Sequence, residues 1–436
     1  MVRTTTWVLV SGALSAAGGC EEDASPVGLA AGGSGAGGGG GGPASGILSR
    51  SPFSASETDP RLVAAPDGKT LLIAWTGRRD DGPSHVGYVW SKDGGASWSS
   101  PERIQTEDRV YLAPDAVAGN TGVFRVAFLA HARNGRGASI LVATADGATA
   151  FGAPVPVTDE TAVGFYGRPR IDLTNSGRML VAYTELAGGA HRLVVATSVG
   201  GVRWERNVLD GTQGVEHPFP CAATSTPRGR SYLAVRRGEQ VLLGRSLDSG
   251  TSWDFIGASA DGEEAGGPPS CVAAGEHVWV SYGLESSNGL GALRVAHSGD
   301  KGESIDARST VHDPSLGPSF AVHQLAREPR TDTHLVYYEG AGPGDEAASV
   351  RRVRLPLAEL LGAGGAGGFG GAGGGGAPPA GLPSVAVHEP VTLQLRTDSA
   401  RFIGESVGVA FAAGALHVAY VDNDDGAAHV AYAVAK

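Results

Sequence analysis

The residues of this chain that can do chemistry fall into two groups. One is an aspartate that recurs with serine, glycine and tryptophan at fixed spacing. The other is a set of single charged or hydroxyl-bearing residues that stand just before short apolar runs. The first group is clearest at Ser91-Lys92-Asp93-Gly94-Gly95-Ala96-Ser97-Trp98 and again at Ser246-Leu247-Asp248-Ser249-Gly250-Thr251-Ser252-Trp253. A carboxylate in such a turn caps nearby backbone N–H groups. The glycine takes the positive φ that the turn needs, and the tryptophan is placed to pack between sheets. Asp93 and Asp248 therefore read as staples of a hairpin, not as acids or bases in a reaction.

Weaker copies occur at Thr144–Phe151, which keeps Asp146, at Thr197–Trp204, which keeps Gly201 and Trp204 but has Val199 for the aspartate, and at Ser298–Ile305, which keeps Asp300 and Gly302. The copies start at 91, 144, 197, 246 and 298, so the steps are 53, 53, 49 and 52 residues. A strand-rich repeat of that length is the signature of a propeller blade. Seven copies of a strand pattern follow. The innermost strands are expected to begin near Pro60, Pro114, Pro169, Pro220, Pro269, Pro318 and Glu405. The last copy ends with three strands, and Ile47–Phe53 is the segment available to supply its fourth and close the ring. The expected fold is all-β, a single propeller of seven four-stranded blades, with a six-bladed ring and an irregular tail as the alternative.

Composition narrows the function. The 436 residues carry a net charge of −11 with no basic stripe, so a nucleic-acid partner is excluded: phosphate binding needs clustered Lys and Arg. No apolar run reaches the length of a membrane-spanning helix. Residues 1–19 read as a signal peptide, with Arg3 ahead of an apolar stretch from Trp7 to Ala17. Ala17-Gly18-Gly19-Cys20 resembles the lipobox of bacterial lipoproteins, which implies lipidation of Cys20; ordinary secretion with a spare cysteine is the alternative. Residues 20–46 would then be the lipidated cysteine and a flexible glycine-rich tether. The propeller spans 47–436, with a second glycine-rich stretch, 362–381, read as a disordered insertion. The protein is thus expected in the bacterial cell envelope, or secreted, as a monomer that meets the membrane through its lipid anchor only.

In a propeller the ligand sits at the channel mouth, where loops enter the innermost strands. Those positions carry Arg61, Asp115, Tyr166, Arg168, Glu216, His217, Ser270, Ser319 and Glu405. They read either as a ligand site or as a polar channel filled by water and salt bridges. The twelve histidines show no His-x-x-x-His or His-Glu-x-x-His spacing, so neither a metal site nor any other cofactor is expected. Cys221 and Cys271 fall at equivalent places in adjacent blades. They are read as a disulfide, with two buried free thiols as the alternative.

The recurring Ser-x-Asp-x-Gly-x-x-Trp motif is similar to the Asp-box, or BNR repeat, of the sialidase superfamily. It covers five of the seven copies, two of them fully. The resemblance implies that Arg61 grips a substrate carboxylate, that Arg78 and Arg79 stand at the family's arginine after the second strand, that Arg236 or Arg237 is its second carboxylate-binding arginine, and that Asp81 is the general acid/base. The pattern then fails. No third arginine stands near Gly291. Blade four lacks the family's glutamate, reading Pro220-Cys221-Ala222-Ala223-Thr224, and Pro318 occupies the place of the nucleophilic tyrosine. A nucleophile without a hydroxyl cannot attack the anomeric carbon. The expected function is therefore non-catalytic recognition of a glycan or a surface protein, and the alternative is an active exo-sialidase or related exo-glycosidase. Substitution of Tyr166 with Glu216 as a nucleophile–base pair is the route by which activity would survive.

Overall fold

The computed structural model describes residues 46–48, 56–78, 83–104, 109–132, 137–159, 167–174, 176–187, 189–209, 211–221, 229–286, 289–312, 319–327, 332–340, 347–356, 395–396, 407–422 and 428–435. All lie in one compact unit, Pro43–Lys436. The strands form seven antiparallel four-stranded sheets, so the ring has seven blades and not six. The innermost strands are Ser56–Ala64, Arg109–Ala118, Arg170–Leu173, Val215–Pro220, Ala265–Ala274, Ser319–Arg327 and Gly408–Ala412. Each packs against the next, and the last packs against the first.

Closure is made by the two ends of the unit. Gly46–Ile47 is the outer strand of blade seven, pairing with His429–Ala435 through Gly46↔Tyr432 and Ile47↔Ala431. The Leu48 N–H extends the pairing to the Val430 carbonyl at 3.1 Å. In blade six the outer strand Leu395–Arg396 follows Ala347–Pro356 only after the glycine-rich stretch 362–381, which lies outside the described residues.

The core is divided as the ring is. Each of the seven apolar clusters lies between two neighbouring blades. Leu71–Arg78 shows why. Leu72 and Ala74 face blade two, while Leu71, Ile73 and Trp75 face blade seven. Successive side chains point to opposite faces of a sheet. A blade covered on both faces therefore reads as a continuous apolar run instead of an alternating one.

Of the prolines that sequence alone marks as strand starts, Pro60, Pro114, Pro220 and Pro269 lie inside strands, Pro169 directly precedes Arg170–Leu173 as expected, and Pro318 lies outside the described residues. The inner strands of blades one, two, four and five begin earlier and bulge. The register shifts between Thr58 and Arg61, Leu112 and Asp115, Glu216 and Phe219, and Gly266 and Ser270. The residues before Pro60, Pro114, Pro218 and Pro268 have positive φ: Asp59 57°, Ala113 53°, His217 50° and Gly267 73°. A bulge leaves a residue out of the ladder, which is where a proline without an N–H is tolerated. The equivalent prolines in blades four and five are thus Pro218 and Pro268, not Pro220 and Pro269.

The aspartate turns lie at the blade ends opposite the starts of the inner strands. In the Asp93 turn, Ser91 Oγ donates to Asp93 Oδ1 at 2.8 Å and accepts the Gly95 N–H at 2.8 Å. The Ser97 N–H donates to Asp93 Oδ1 at 2.8 Å. Asp248 accepts from the Thr251 and Ser252 N–H groups at 3.0 and 2.8 Å, and Asp300 from Glu303 and Ser304 at 3.0 and 2.9 Å. The third turn is complete in its hydrogen bonds although it lacks a tryptophan. Partial burial works against the charged form of Asp300, but donors from Ser304, Ser298 and Glu303 outweigh it and hold the carboxyl at about 2. At Asp146 the bond seen is from Thr149 Oγ1 to the Asp146 carbonyl, 2.9 Å. Trp98 packs edge-on against Tyr432 of blade seven at 4.9 Å. Trp204 and Trp253 pack on the clusters between blades two and three and between three and four.

Cys221 and Cys271 form a disulfide, with Cα atoms 5.5 Å apart, that joins blades four and five. It closes a sequence separation of 50 residues. In the chain-entropy model, reduction should lower stability by about 4 kcal/mol; urea unfolding with and without reductant measures this. A Cβ on Gly95, which has φ +86°, would stand 1.8 Å from Tyr432 Oη. Gly95→Ala is therefore expected to cost about 2–3 kcal/mol by overpacking and backbone strain, read as a lower urea midpoint at unchanged slope.

Candidate ligand-binding site at the channel mouth

The bulges carry charged residues to the axis of the ring. Arg61 follows the bulge of blade one and Asp115 that of blade two, while Arg170 opens the inner strand of blade three. Arg61 Nε lies 3.2 Å from Asp115 Oδ1, and Arg170 Nη1 lies 3.5 Å from the same oxygen. The other oxygen, Asp115 Oδ2, accepts the Ile171 N–H at 2.8 Å. Arg61 Nη1 donates to Gln324 Oε1 of blade six at 3.0 Å. The Arg170 guanidinium stands 5.1 Å from the Phe219 ring of blade four. One polar hub thus touches five blades.

The hub is dry. Arg61 is 4% exposed and Asp115 9%. Burial lowers the pKa of Arg61 from its ordinary value against the pull of Asp115 and Asp59. Burial also pushes the Asp115 carboxyl up to about 6, with Arg61 and the N–H groups of Ile171 and Ala116 opposing. Desolvation of both partners is the cost that a buried ion pair carries.

Around the hub lies a more open ring. Arg168 Nη1 is 2.9 Å from Asp59 Oδ1. Arg236 Nη2 pairs with Glu216 Oε2 at 2.5 Å, and His217 Nε2 lies 4.0 Å from the same oxygen. The side chains of Arg168, Glu216 and His217 remain 29%, 40% and 35% exposed. Burial, then the Arg236 charge, push the His217 imidazole down to about 4, with Arg168 and His191 adding to the effect. Its neutral ring is thus a donor and acceptor beside two arginines near pH 7. Burial works against the charged form of Glu216, but the hydrogen bond and charge of Arg236 outweigh it and hold the carboxyl below its usual range.

Arg61, Arg168 and Arg236 therefore do not form a bare cationic triad; each has its own carboxylate. Arg78 is exposed at the mouth end of Leu71–Arg78, opposite Ser56. Ser270 is fully buried and accepts the Leu325 N–H at 3.0 Å, so it stitches blade five to six. Asp81, Tyr166, Glu405, Pro318 and Cys20 lie outside the described residues. Among the described residues no group of three His, Cys, Asp or Glu side chains is placed to hold a metal ion. Asp59, Arg170 and Gln324 join the site although they were not singled out in the sequence. Asp59 carries a signal, since it precedes the bulge proline; Gln324 carries none.

This fold and its Asp-box turns define a sialidase-like β-propeller. A crystal structure of a protein of unknown function from Dyadobacter fermentans is similar at 15% identity, covering 72% of this chain and 98% of that one, with a TM-score of 0.51. Trypanosoma rangeli sialidase is similar at 14% identity with a TM-score of 0.51, over 71% of this chain and 56% of that one. Its complex with 2,3-difluorosialic acid gives a TM-score of 0.50, also at 14% identity, over 71% of this chain and 55% of that one. The chain thus spans little more than half the length of the trypanosomal enzyme. No protein-family model matches the chain, and no curated protein matches its sequence.

Removing one member of a buried pair strands the other. Arg61→Met is expected to cost about 3–5 kcal/mol, measured by urea unfolding. For Asp115 the folded carboxyl titrates near 6 against an ordinary 3.8. The folded state therefore binds the extra proton between those values, and stability gained from this residue rises as pH falls through that window. The stability of the wild type relative to Asp115→Asn should increase from pH 7 to pH 4; a decrease would contradict the assignment.

Proposed function

We propose that this protein is an exported, lipid-tethered recognition module without hydrolase activity. Its ligand, a glycan or a surface protein, is held at the channel mouth by Arg168, Glu216, His217 and Arg236. The observation that carries the reading is the commitment of Arg61. Its guanidinium is buried between Asp115 and Gln324, where a substrate carboxylate would have to displace two partners to reach it. The arginine that the resemblance assigns to carboxylate binding is thus spent on the scaffold. Pro318 at the place of the nucleophilic tyrosine supports the same reading, because it has no hydroxyl.

The open ring suits recognition. Arg236 and Arg168 give directional donors, Glu216 an acceptor and His217 a neutral imidazole, all at the rim of the channel. The signal-like residues 1–19, Cys20 and the glycine-rich composition of the segment that follows support presentation outside the cytoplasm on a lipid anchor.

The test is hydrolysis of a fluorogenic sialoside, followed by binding to an immobilised glycan panel. No turnover is expected at high protein concentration. Arg236→Ala and His217→Ala are expected to weaken the strongest glycan interaction at least tenfold while Arg78→Ala leaves it unchanged. Turnover that Asp81→Ala abolishes would establish an exo-glycosidase instead.

A further inference from the structure

In four inner strands the bulge sets a residue of positive φ directly ahead of a proline, and that residue differs from blade to blade. It is Asp59 at 57° in blade one, Ala113 at 53° in blade two, His217 at 50° in blade four and Gly267 at 73° in blade five. Glycine enters this region freely. Other residues do so at a cost, although Asp and His tolerate it better than most. A following proline restricts them further. Gly267 shows that the bulge is satisfied by glycine, and Ala113 that it needs no polar group. Blades one and four nevertheless place an aspartate and a histidine there, and both side chains stand at the channel mouth. Backbone strain retained at a cleft points to a role for the side chain.

Asp59 joins blades that are not neighbours. Its Oδ1 accepts from Arg168 Nη1 at 2.9 Å, which links blade one to blade three across blade two. Its Oδ2 accepts from Thr58 Oγ1 at 3.4 Å. Asp59 is buried, whereas the Arg168 side chain is 29% exposed. The backbone just ahead of Arg168 is pinned too. The Gly167 N–H donates to the Thr184 carbonyl at 2.8 Å, and a Cβ on Gly167 would stand 2.2 Å from Thr184 Oγ1. A long side chain is thus held at both ends while part of it stays open at the mouth. Ordering an arginine in advance removes an entropic cost from binding.

We infer that Asp59 and His217 occupy these strained places for the sake of a glycan: Asp59 positions Arg168, and His217 touches the sugar itself. Both roles rest on recognition at the channel mouth as proposed above. The chemistry recognised is that of sugar hydroxyls. An arginine beside a carboxylate sets donors next to an acceptor, and a hydroxyl both donates and accepts. Adjacent hydroxyls on one ring can engage Arg236 and Glu216 together, and the donors of Arg168 that Asp59 does not take remain for a neighbouring oxygen. The His217 side chain, 35% exposed and 4.0 Å from Glu216 Oε2, stands beside that pair.

The test replaces each bulge residue by glycine in the full chain and reads stability and binding separately, by urea unfolding and on an immobilised panel of neutral and sialylated oligosaccharides. Relief of the positive φ offsets the added freedom of the unfolded chain. Asp59→Gly and His217→Gly should therefore each weaken the strongest oligosaccharide interaction at least tenfold at a urea midpoint no lower than that of the wild type. Ala113→Gly makes the same backbone change without removing a polar group, and should leave binding as it is. Asp59→Asn keeps an acceptor for Arg168 and should retain more binding than Asp59→Gly. Because Asp59 acts through Arg168, Asp59→Gly should add nothing to the loss caused by Arg168→Ala. Binding that survives Asp59→Gly or His217→Gly, or a fall in stability that accompanies the loss of binding, would overturn this inference and leave recognition at the mouth standing. A wild type that binds no oligosaccharide on the panel would overturn both.

Discussion

The buried pair of Arg61 and Asp115 is the interaction on which the centre of this ring depends. At the axis of this ring the Arg61 guanidinium reaches a carboxylate of the next blade and an amide of blade six. Asp115 in turn ties to the backbone and side chain of blade three. Burial of such charges is costly and does not by itself stabilise a fold. The open ring of Arg168, Glu216, His217 and Arg236 is built around that centre.

The remaining interactions support the same ring from outside. Seven apolar clusters act as seven interfaces, so each blade is held by its neighbours and not by a central core. The aspartate turns stiffen hairpins at the far ends of the blades, and the pairing of Gly46–Ile47 with His429–Ala435 joins the two ends of the unit. The disulfide joins blades four and five directly.

The architecture was legible in the sequence because its signals are local. The spacing of Asp93, Asp248 and Asp300 encodes the period, and doubly buried strands such as Leu71–Arg78 read as unbroken apolar runs. In blades one, two, four and five the inner strands start before the prolines that sequence marks, because a proline usually ends a ladder and here it sits in a bulge after Asp59, Ala113, His217 or Gly267. The hub was legible in part: the sequence places Arg61 and Asp115 at the channel mouth, with salt bridges as one of two readings, but it does not reveal Gln324 as a partner. Arg61 and Gln324 stand 263 residues apart, and nothing local to either residue announces the other. The resemblance assigns Arg61 to a ligand carboxylate, whereas the structure places its guanidinium beside Asp115 and Gln324.

That role is the central claim, and a double-mutant cycle tests it most directly. Urea unfolding of Arg61→Met, Asp115→Leu and the double variant isolates the energy shared by the pair. A structural brace predicts a coupling of about 2–3 kcal/mol, with the double variant more stable than the sum of the single losses. Coupling near zero would contradict the account and return Arg61 to the ligand.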